Sequence, residues 1–156
     1  MPRIITDMML ARAIELARPS AEAALAAAGL AWGPDWVYGI VRVPGLSDMR
    51  FTLGTPKTWN AEWGKAKDFR VIADQKMALA DRLKVNTSFA AAEMPWLLED
   101  GDYLYPGGVH REGLSAGISG AMGRTDESLA ELVLSMLIMH ANLEADRRKA
   151  EKEMLV

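Results

Sequence analysis

A glycine-rich stretch from residue 105 to residue 126 constrains the fold of this chain more than any other part of it. It holds six of the thirteen glycines in the sequence. Gly107 and Gly108 permit backbone paths that a residue with a Cβ atom cannot take, so they predict a sharp turn or a close approach. Residues 114–121 are small, apolar and uncharged, which predicts a buried strand that another segment or a ligand approaches closely. The pattern is typical of a pocket wall, and equally of a hairpin packed under a helix.

A long helix is predicted directly after this stretch. Thr125 is the expected N-cap, and the acids at 126 and 127 favour a helix start. From residue 144 the pattern becomes a charged, helical C-terminal extension, 144–156. The apolar face of the helix is predicted to hold Leu129, Leu132, Val133, Met136, Leu137 and His140.

The remaining elements follow from periodicity and turn residues. Thr6 or Asp7 is expected to cap a first helix, which Pro19 should kink or divide into helices 7–17 and 19–28. A further helix is predicted within 65–84, and a short helical turn at 90–94. Strands are predicted at 36–43, 49–53 and 102–105, with a last hairpin at 109–121.

Lys76 is the most unusual residue of the 65–84 helix. The i, i+3, i+4 spacing places it on an apolar stripe with Phe69, Ile72, Ala73, Met77 and Ala80. A lysine there either extends its ammonium group to solvent or is held in a pocket. In a pocket, its desolvation must be offset by a carboxylate, a carbonyl or a bound anion; otherwise the neutral amine needed for base or imine chemistry is favoured.

The histidine and cysteine content limits the chemistry of any site. The chain has no cysteine, which excludes disulfides, thiolate catalysis and cysteine-bound metals. Its two histidines, His110 and His140, show no metal-ligand spacing, so no metal site is predicted. His110 follows the glycine turn and is either an acid/base group or an exposed hairpin residue. His140, on an apolar face, is expected in the core or an interface.

Several other side chains are candidates for ligand contact. Trp59 and Trp63 would share one face of a helical segment, as an aromatic wall or as cover for a helix–sheet junction. The glycine stretch itself contributes Gly107, Gly108 and Gly117 as positions of close approach. Four further side chains are candidates for substrate binding: Arg50, Arg111, Tyr103 and Tyr105. The two arginines are suited to binding a carboxylate.

Composition sets broader expectations. At 156 residues the chain suits a single domain, 1–156. A net charge of −3 gives no reason to expect nucleic acid or an anionic membrane as a partner, and the absence of a signal-peptide pattern or a long apolar run predicts a cytoplasmic protein. Ten methionines and five tryptophans suit an adaptable pocket or a subunit interface, so a homo-oligomer, dimer or larger, is predicted.

Parts of the glycine stretch resemble the C-terminal signature of the GlcG/HbpS family, often labelled haem-binding. The resemblance lies in residues 106–109, 117–121 and 126–130, with a weaker match at 75–80 that places the family's lysine at Lys76. The family's Asp-x-Gly-Gly turn is replaced here by residues 43–48. The two-helix, antiparallel-sheet pattern is an α+β arrangement. The resemblance implies a profilin-like three-layer α/β/α fold with a central antiparallel sheet of about five strands.

Two classes of function follow. The first is a metal- and cofactor-independent lyase or isomerase for a planar or aromatic oxygenated substrate, working by proton transfer or carbon–carbon cleavage. Lys76 and His110 would be catalytic, with Arg111 or Arg50 as anion anchor. The second is a haem or small-ligand binding module, as the resemblance implies. Haem needs an axial ligand, and the N-terminal half has no histidine, so haem is disfavoured. Under the enzyme hypothesis, Lys76→Met should abolish function without lowering the melting temperature.

Overall fold

A four-stranded antiparallel sheet organises the described part of the chain. The computed structural model describes residues 4–27, 36–54 and 68–154. The strand order is β2-β1-β4-β3, with every neighbouring pair antiparallel. In chain order the elements are α1 (Asp7–Ala27), β1 (Trp36–Arg42), β2 (Met49–Gly54), α2 (Phe69–Leu83), α3 (Thr87–Glu93), a 3-10 turn (Pro95–Leu97), β3 (Gly108–Arg111), β4 (Leu114–Ser119) and α4 (Gly123–Met154).

Side chains alternate between the two faces of the sheet along each strand, and different helices pack on each face. Val37 and Val41 of β1 belong to the main core, which also contains α1 and α4 side chains. Ile40, between them, packs with Ala73 and Met77 of α2. The register pairs Ile40 with Gly117 of β4, so Gly117 faces α2 as well. The main core includes Leu10, Ile14, Leu25, Leu53, Val109, Ile118, Val133, Leu134 and Leu137.

Helix α1 is continuous, which corrects the alternative expectation of two helices, 7–17 and 19–28, divided at Pro19. The helix runs from Asp7 to Ala27 with Pro19 inside it. Pro19 is exposed, so the carbonyl that loses its backbone donor can bond to water. Buried residues on both sides of it, including Ala17 and Ala21, hold the two halves on one core. The capping expectation is confirmed, since Thr6 Oγ1 accepts a hydrogen bond from Met9 N.

The predicted strand at 102–105 is absent. Asp102 instead closes a turn, where its carboxylate accepts hydrogen bonds from Glu99 N and the Arg82 side chain, and Gly101 has a φ of 93°. These contacts commit the segment to a turn rather than to a sheet edge. The described residues therefore hold four strands, and the mixed α/β class with an antiparallel sheet is confirmed at that level. The profilin-like arrangement with about five strands stays a prediction.

Helix α4 begins earlier than expected, at Gly123 rather than after a Thr125 cap. Asp126, in its first turn, accepts a hydrogen bond from Ala121 N, just before the helix, and places a carboxylate at the positive end of the helix dipole. Among the described helices, α4 is the one long and apolar enough to cross a membrane by length and composition alone. Core helices of soluble proteins share these properties, and α4 places residues such as Val133 and Leu137 in the core.

Candidate functional site

Lys76 is buried in an ion pair. Only 2% of the residue is exposed, and its Nζ donates hydrogen bonds to Asp126 Oδ2 and to the Ile118 carbonyl, each at 3.1 Å. Asp126 is equally buried, at 1% exposure, and its other oxygen accepts from Ala121 N at 3.0 Å. The lysine therefore has both the carboxylate and the carbonyl that its desolvation requires.

Burial acts against the charge on each partner. It lowers the pKa of Lys76, while the nearby Asp126 carboxylate opposes that change. It raises the pKa of Asp126 to about 6, against the stabilising effect of the Lys76 ammonium. A pKa of about 6 leaves Asp126 ionised at neutral pH, and its charge in turn favours the ammonium form of Lys76. The geometry thus places Lys76 in an ion pair with Asp126 rather than at an open pocket.

Two tyrosines lie beside this pair. The Tyr103 ring centroid is 5.8 Å from Lys76 Nζ and 5.6 Å from the Tyr105 ring centroid. The first distance is within the range of a cation–π contact. Burial raises the pKa of Tyr103, with smaller contributions from Tyr105 and Asp126. Tyr105 is 67% exposed, so Tyr103 covers the ion pair and Tyr105 faces outward.

Two of the three candidate glycines, Gly108 and Gly117, are positions where the backbone of α2 touches the sheet. A Cβ on Gly117 would lie 2.2 Å from the Ala73 carbonyl oxygen, and one on Gly108 would lie 2.1 Å from the Lys76 carbonyl oxygen. Gly107 has a φ of 139°, and a Cβ there would lie 2.8 Å from Lys76 Nζ. Helix α2 fills the space in front of Gly117, which leaves none there for the ligand that the sequence suggested.

His110 belongs to a second hydrogen-bond network on the same sheet face. Its Nδ1 lies 2.9 Å from Ser115 Oγ, which donates to Asp81 Oδ1 at 2.9 Å. Burial acts to raise the pKa of Asp81, but hydrogen bonds from Ser115 and Arg42 outweigh it and hold the pKa below its usual value. Because the serine proton goes to this carboxylate, His110 Nδ1 must be the donor to Ser115. Its Nε2 then carries the free lone pair.

The environment of His110 favours this neutral form. Burial lowers the pKa of His110, as does the charge of Lys84, while Asp81 opposes them. The hydrogen-bond order is Asp–Ser–His, in which the fully buried Ser115 links the other two. A nucleophilic triad would need the histidine between serine and acid, with the serine open to a substrate. The network therefore fixes the histidine ring rather than activating the serine.

Arg111 lies on the opposite face of the sheet from His110. Its guanidinium donates to Glu131 and Ser135 of α4, at 3.3 Å and 2.7 Å. It follows His110 directly in β3, and alternation along a strand sends neighbouring side chains to opposite faces. Arg111 and His110 therefore do not approach one ligand together, as the sequence suggested.

Arg50 lines a cavity of about 260 Å³ over the β1–β2 pair. It donates to Asp74 Oδ2 of α2 at 2.7 Å. Across the cavity, the guanidinium of Arg70 lies 5.7 Å from the centroid of the Tyr38 ring. The lining residues are Tyr38, Gly39, Arg50, Phe51, Thr52, Arg70, Ala73 and Asp74.

A second cavity, of about 580 Å³, lies between α3, Pro106 and the first turns of α4. Its carboxylates are already used: Glu127 accepts from Asn86 and Ser88, and Glu131 accepts from Asn86 and Arg111. This cavity also differs from the first in its lining, which among the described residues includes no aromatic side chain that could face a planar ligand.

The predicted site residues thus fall into three places rather than one: the Lys76 pair, the His110 network and the Arg50 cavity. Trp59 and Trp63 lie outside the described residues, so their aromatic wall stays a prediction. Within the described ranges, no group of three or more histidine or acidic side chains could hold a metal ion. The Nε2 atom of His140 is buried and has no hydrogen-bond partner among those residues.

Sequence reasoning missed three residues of these networks. Asp126 carried a usable signal, because a buried lysine needs a counterion and Asp126 follows the glycine strand that packs on the same helix. Asp81 and Ser115 gave no signal in the sequence, since the contact between them depends on how β4 packs against α2.

Comparison with solved structures agrees with the predicted resemblance. The crystal structure of HbpS matches with 22% identity over 88% of this chain and 92% of that one, at a TM-score of 0.55. The fold is similar to that of HbpS. A crystal structure of an HbpS double mutant from Streptomyces reticuli gives the same TM-score, with 23% identity over 88% of this chain and 89% of that one. No family model and no curated protein matches the chain. The GlcG/HbpS-like relationship is therefore supported at the level of the fold.

Proposed function

We propose that this protein is a small-ligand binding module, and that its ligand is a small planar molecule with a carboxylate group. The observation that carries the proposal is the cavity over β1 and β2, where two guanidinium groups and a tyrosine ring meet. The fold shared with HbpS supports a binding role, as the family label implies. Neither observation supports the lyase or isomerase hypothesis, because the Lys76 ammonium group is already engaged in its ion pair with Asp126.

The cavity has groups for both parts of such a ligand. Arg50 and Arg70 have side chains that are 58% and 65% exposed, so an incoming anion can reach them. Arginine binds carboxylates through two parallel hydrogen bonds. The Tyr38 ring and the backbone around Gly39 offer a flat surface for a ring. At about 260 Å³ the cavity is just below the range typical of drug-sized ligands, which favours a single-ring compound.

Binding of benzoate, measured by titration of backbone NMR shifts, tests this proposal. Arg50→Met and Arg70→Met should each weaken benzoate binding by about tenfold or more, because each removes a charge-assisted hydrogen bond. Arg12→Met, at an exposed arginine of α1, is the matched control and should leave the affinity unchanged. Benzyl alcohol should bind more weakly than benzoate. If all three variants bind benzoate with equal affinity, the cavity is not the binding site. Chemical conversion of benzoate by the protein would support the enzyme hypothesis instead.

Haem fits the described residues poorly. His110 supplies a neutral nitrogen of fixed orientation, as an iron ligand requires. However, His110 lines neither of the two cavities above, and the one with an aromatic wall is smaller than a typical drug-sized site. The two cavities described above thus offer no axial histidine to haem, and no step of the proposed function uses haem.

Titration with haemin provides the corresponding measurement. We expect the purified protein to show no stoichiometric shift of the Soret band. A sharp one-to-one shift that is lost in His110→Ala would overturn this expectation and make haem the ligand. Ser115→Ala is a useful companion, because it leaves the histidine in place but removes the hydroxyl that orients it.

A further inference from the structure

The cavity over β1 and β2 contains a carboxylate as well as its two guanidinium groups. Asp74 is the acidic side chain among the described residues that line this cavity. It lies on α2 one turn after Arg70, and residues four apart on a helix share a face. Its Oδ2 accepts the hydrogen bond from Arg50 of β2 at 2.7 Å. The cavity therefore places an acceptor beside the two groups that would bind the carboxylate of a ligand.

Half of the Asp74 carboxylate is unused. Within the described ranges of the chain, its second oxygen, Oδ1, has no hydrogen-bond partner. The side chain is 38% exposed, so a molecule in the cavity can reach it. An ionised carboxylate accepts hydrogen bonds and donates none. The hydroxyl groups of Tyr38 and Thr52 also belong to the lining, but a hydroxyl can donate or accept and so discriminates less between ligands.

The charges of the lining show what a ligand must bring besides its own carboxylate. Two guanidinium groups and one carboxylate leave a single positive charge, which one ligand carboxylate neutralises. That ligand carboxylate then shares Arg50 with Asp74, and two negative charges at close range repel each other. A hydrogen-bond donor on the ligand, directed at Asp74 Oδ1, offsets this repulsion. A ligand with a carboxylate alone leaves the Asp74 oxygen without a proton to accept.

We propose that Asp74 is a specificity-determining residue of this cavity, and that its ligand is an aromatic carboxylic acid with a hydrogen-bond donor, a hydroxyl or amino group, on the ring. This inference rests on the proposed function, because it requires that an aromatic carboxylate binds here. A site that hydrogen-bonds a ligand hydroxyl rejects the analogue without it, because the polar group of the site is left unpaired. Asp74 is partly exposed, so water offsets some of that loss, and the expected discrimination is about tenfold.

Titration of backbone NMR shifts with a panel of substituted benzoates provides the test. The panel consists of benzoate, its three monohydroxy isomers and the matching methoxy compounds. At least one hydroxybenzoate should bind the wild-type protein about tenfold more tightly than benzoate does. The methoxy compound with the same substitution pattern should show no such gain, because it has no proton to donate. The matching aminobenzoate distinguishes the two donors: an equal gain assigns the site to either donor, and a gain with the hydroxyl alone assigns it to a phenol.

The variant Asp74→Ala assigns the gain to this side chain. Alanine removes both carboxylate oxygens and favours a helix, so α2 should stay folded and the NMR spectrum itself reports whether it does. In this variant the hydroxybenzoate and benzoate should bind with equal affinity. Asp146→Ala is the matched control, because it removes an exposed acid from α4 with the same change in net charge, and it should keep the tenfold gain.

The outcomes separate this inference from the proposed function. A gain that persists in Asp74→Ala, or no gain with any of the three isomers, would overturn the role of Asp74 while benzoate binding through Arg50 and Arg70 still stands. Loss of the gain in both Asp74→Ala and Asp146→Ala would mean that net charge, not Asp74, sets the preference. If neither benzoate nor any hydroxybenzoate binds the wild-type protein, the proposed function fails and this inference fails with it.

Discussion

Lys76→Met should destabilise the protein by about 3–5 kcal/mol, the range found when one partner of a buried ion pair is removed. The substitution leaves the Asp126 carboxylate 1% exposed and without its cation. It also removes the donor to the Ile118 carbonyl. Methionine preserves the apolar volume of the side chain, but this does not offset these losses. The sequence predicted an unchanged melting temperature for Lys76→Met; the structure predicts a lower one. Urea denaturation at pH 7.5 measures the change.

The double variant Lys76→Met/Asp126→Asn is the control for this result. It removes both charges while keeping an oxygen that can accept from Ala121 N. Replacing both members of a buried pair costs far less than breaking it, so the double variant should be more stable than Lys76→Met alone. If the single variant unfolds at the wild-type urea concentration, the pair contributes nothing and the argument fails.

The pH dependence of the single variant follows from the direction of the Asp126 shift. In the folded wild type, burial already raises the pKa of Asp126 to about 6, from an ordinary value of 3.8. Loss of the Lys76 charge raises it further. A raised carboxyl pKa means that the folded state binds the proton more tightly, so stability falls as the pH rises from 3.8 through the folded pKa. The deficit of Lys76→Met relative to wild type should therefore be largest above pH 6 and shrink towards pH 4.

The sequence was most informative where local signals and packing agree. The glycine stretch correctly indicated a hairpin, a buried strand and a following helix, because glycines at close contacts and small apolar residues have few other uses. It left open whether a chain segment or a ligand approaches Gly117, and the structure places helix α2 there. Close approach by a ligand and close approach by helix α2 require the same glycine, and a single sequence does not distinguish them.

Tertiary packing overrode the local signals elsewhere. Pro19 opposes a continuous helix by its own chemistry, yet α1 continues through it and buries Ala17 and Ala21 on one core. Residues 102–105 have strand-forming side chains, but Asp102 finds hydrogen bonds in a turn. The site was predictable only in part for the same reason. The apolar stripe placed Lys76 in the interior, whereas its pairing with Asp126 depends on contacts 50 residues apart in the chain.

The packing of α2 on the sheet makes Gly117→Ala the other severe substitution. The added methyl group would lie 2.2 Å from the Ala73 carbonyl oxygen and 2.8 Å from Met77 Cβ. Helix α2 must move away from β4 to admit it. Overpacking costs about 1–3 kcal/mol and occasionally more, and a clash with backbone favours the upper end of that range. Gly113→Asn, in the β3–β4 turn, is the control: a Cβ there meets nothing within 4 Å, and asparagine tolerates its φ of 82°.

Gly39→Ala separates the two ways in which a glycine can be required. A Cβ on Gly39 would also clash, at 2.2 Å, but with the ring of Phe51 rather than with backbone. A ring can be replaced by a smaller side chain, so Gly39→Ala/Phe51→Leu should be more stable than Gly39→Ala. No such rescue exists at Gly117, because the Ala73 oxygen belongs to the backbone of α2. Thermal unfolding of Gly39→Ala and Gly117→Ala, each with and without its second substitution, measures the difference. We expect Phe51→Leu to raise the melting temperature of Gly39→Ala, and Met77→Ala to leave that of Gly117→Ala unchanged. A higher melting temperature for Gly117→Ala/Met77→Ala would mean that the helix backbone is not the obstacle.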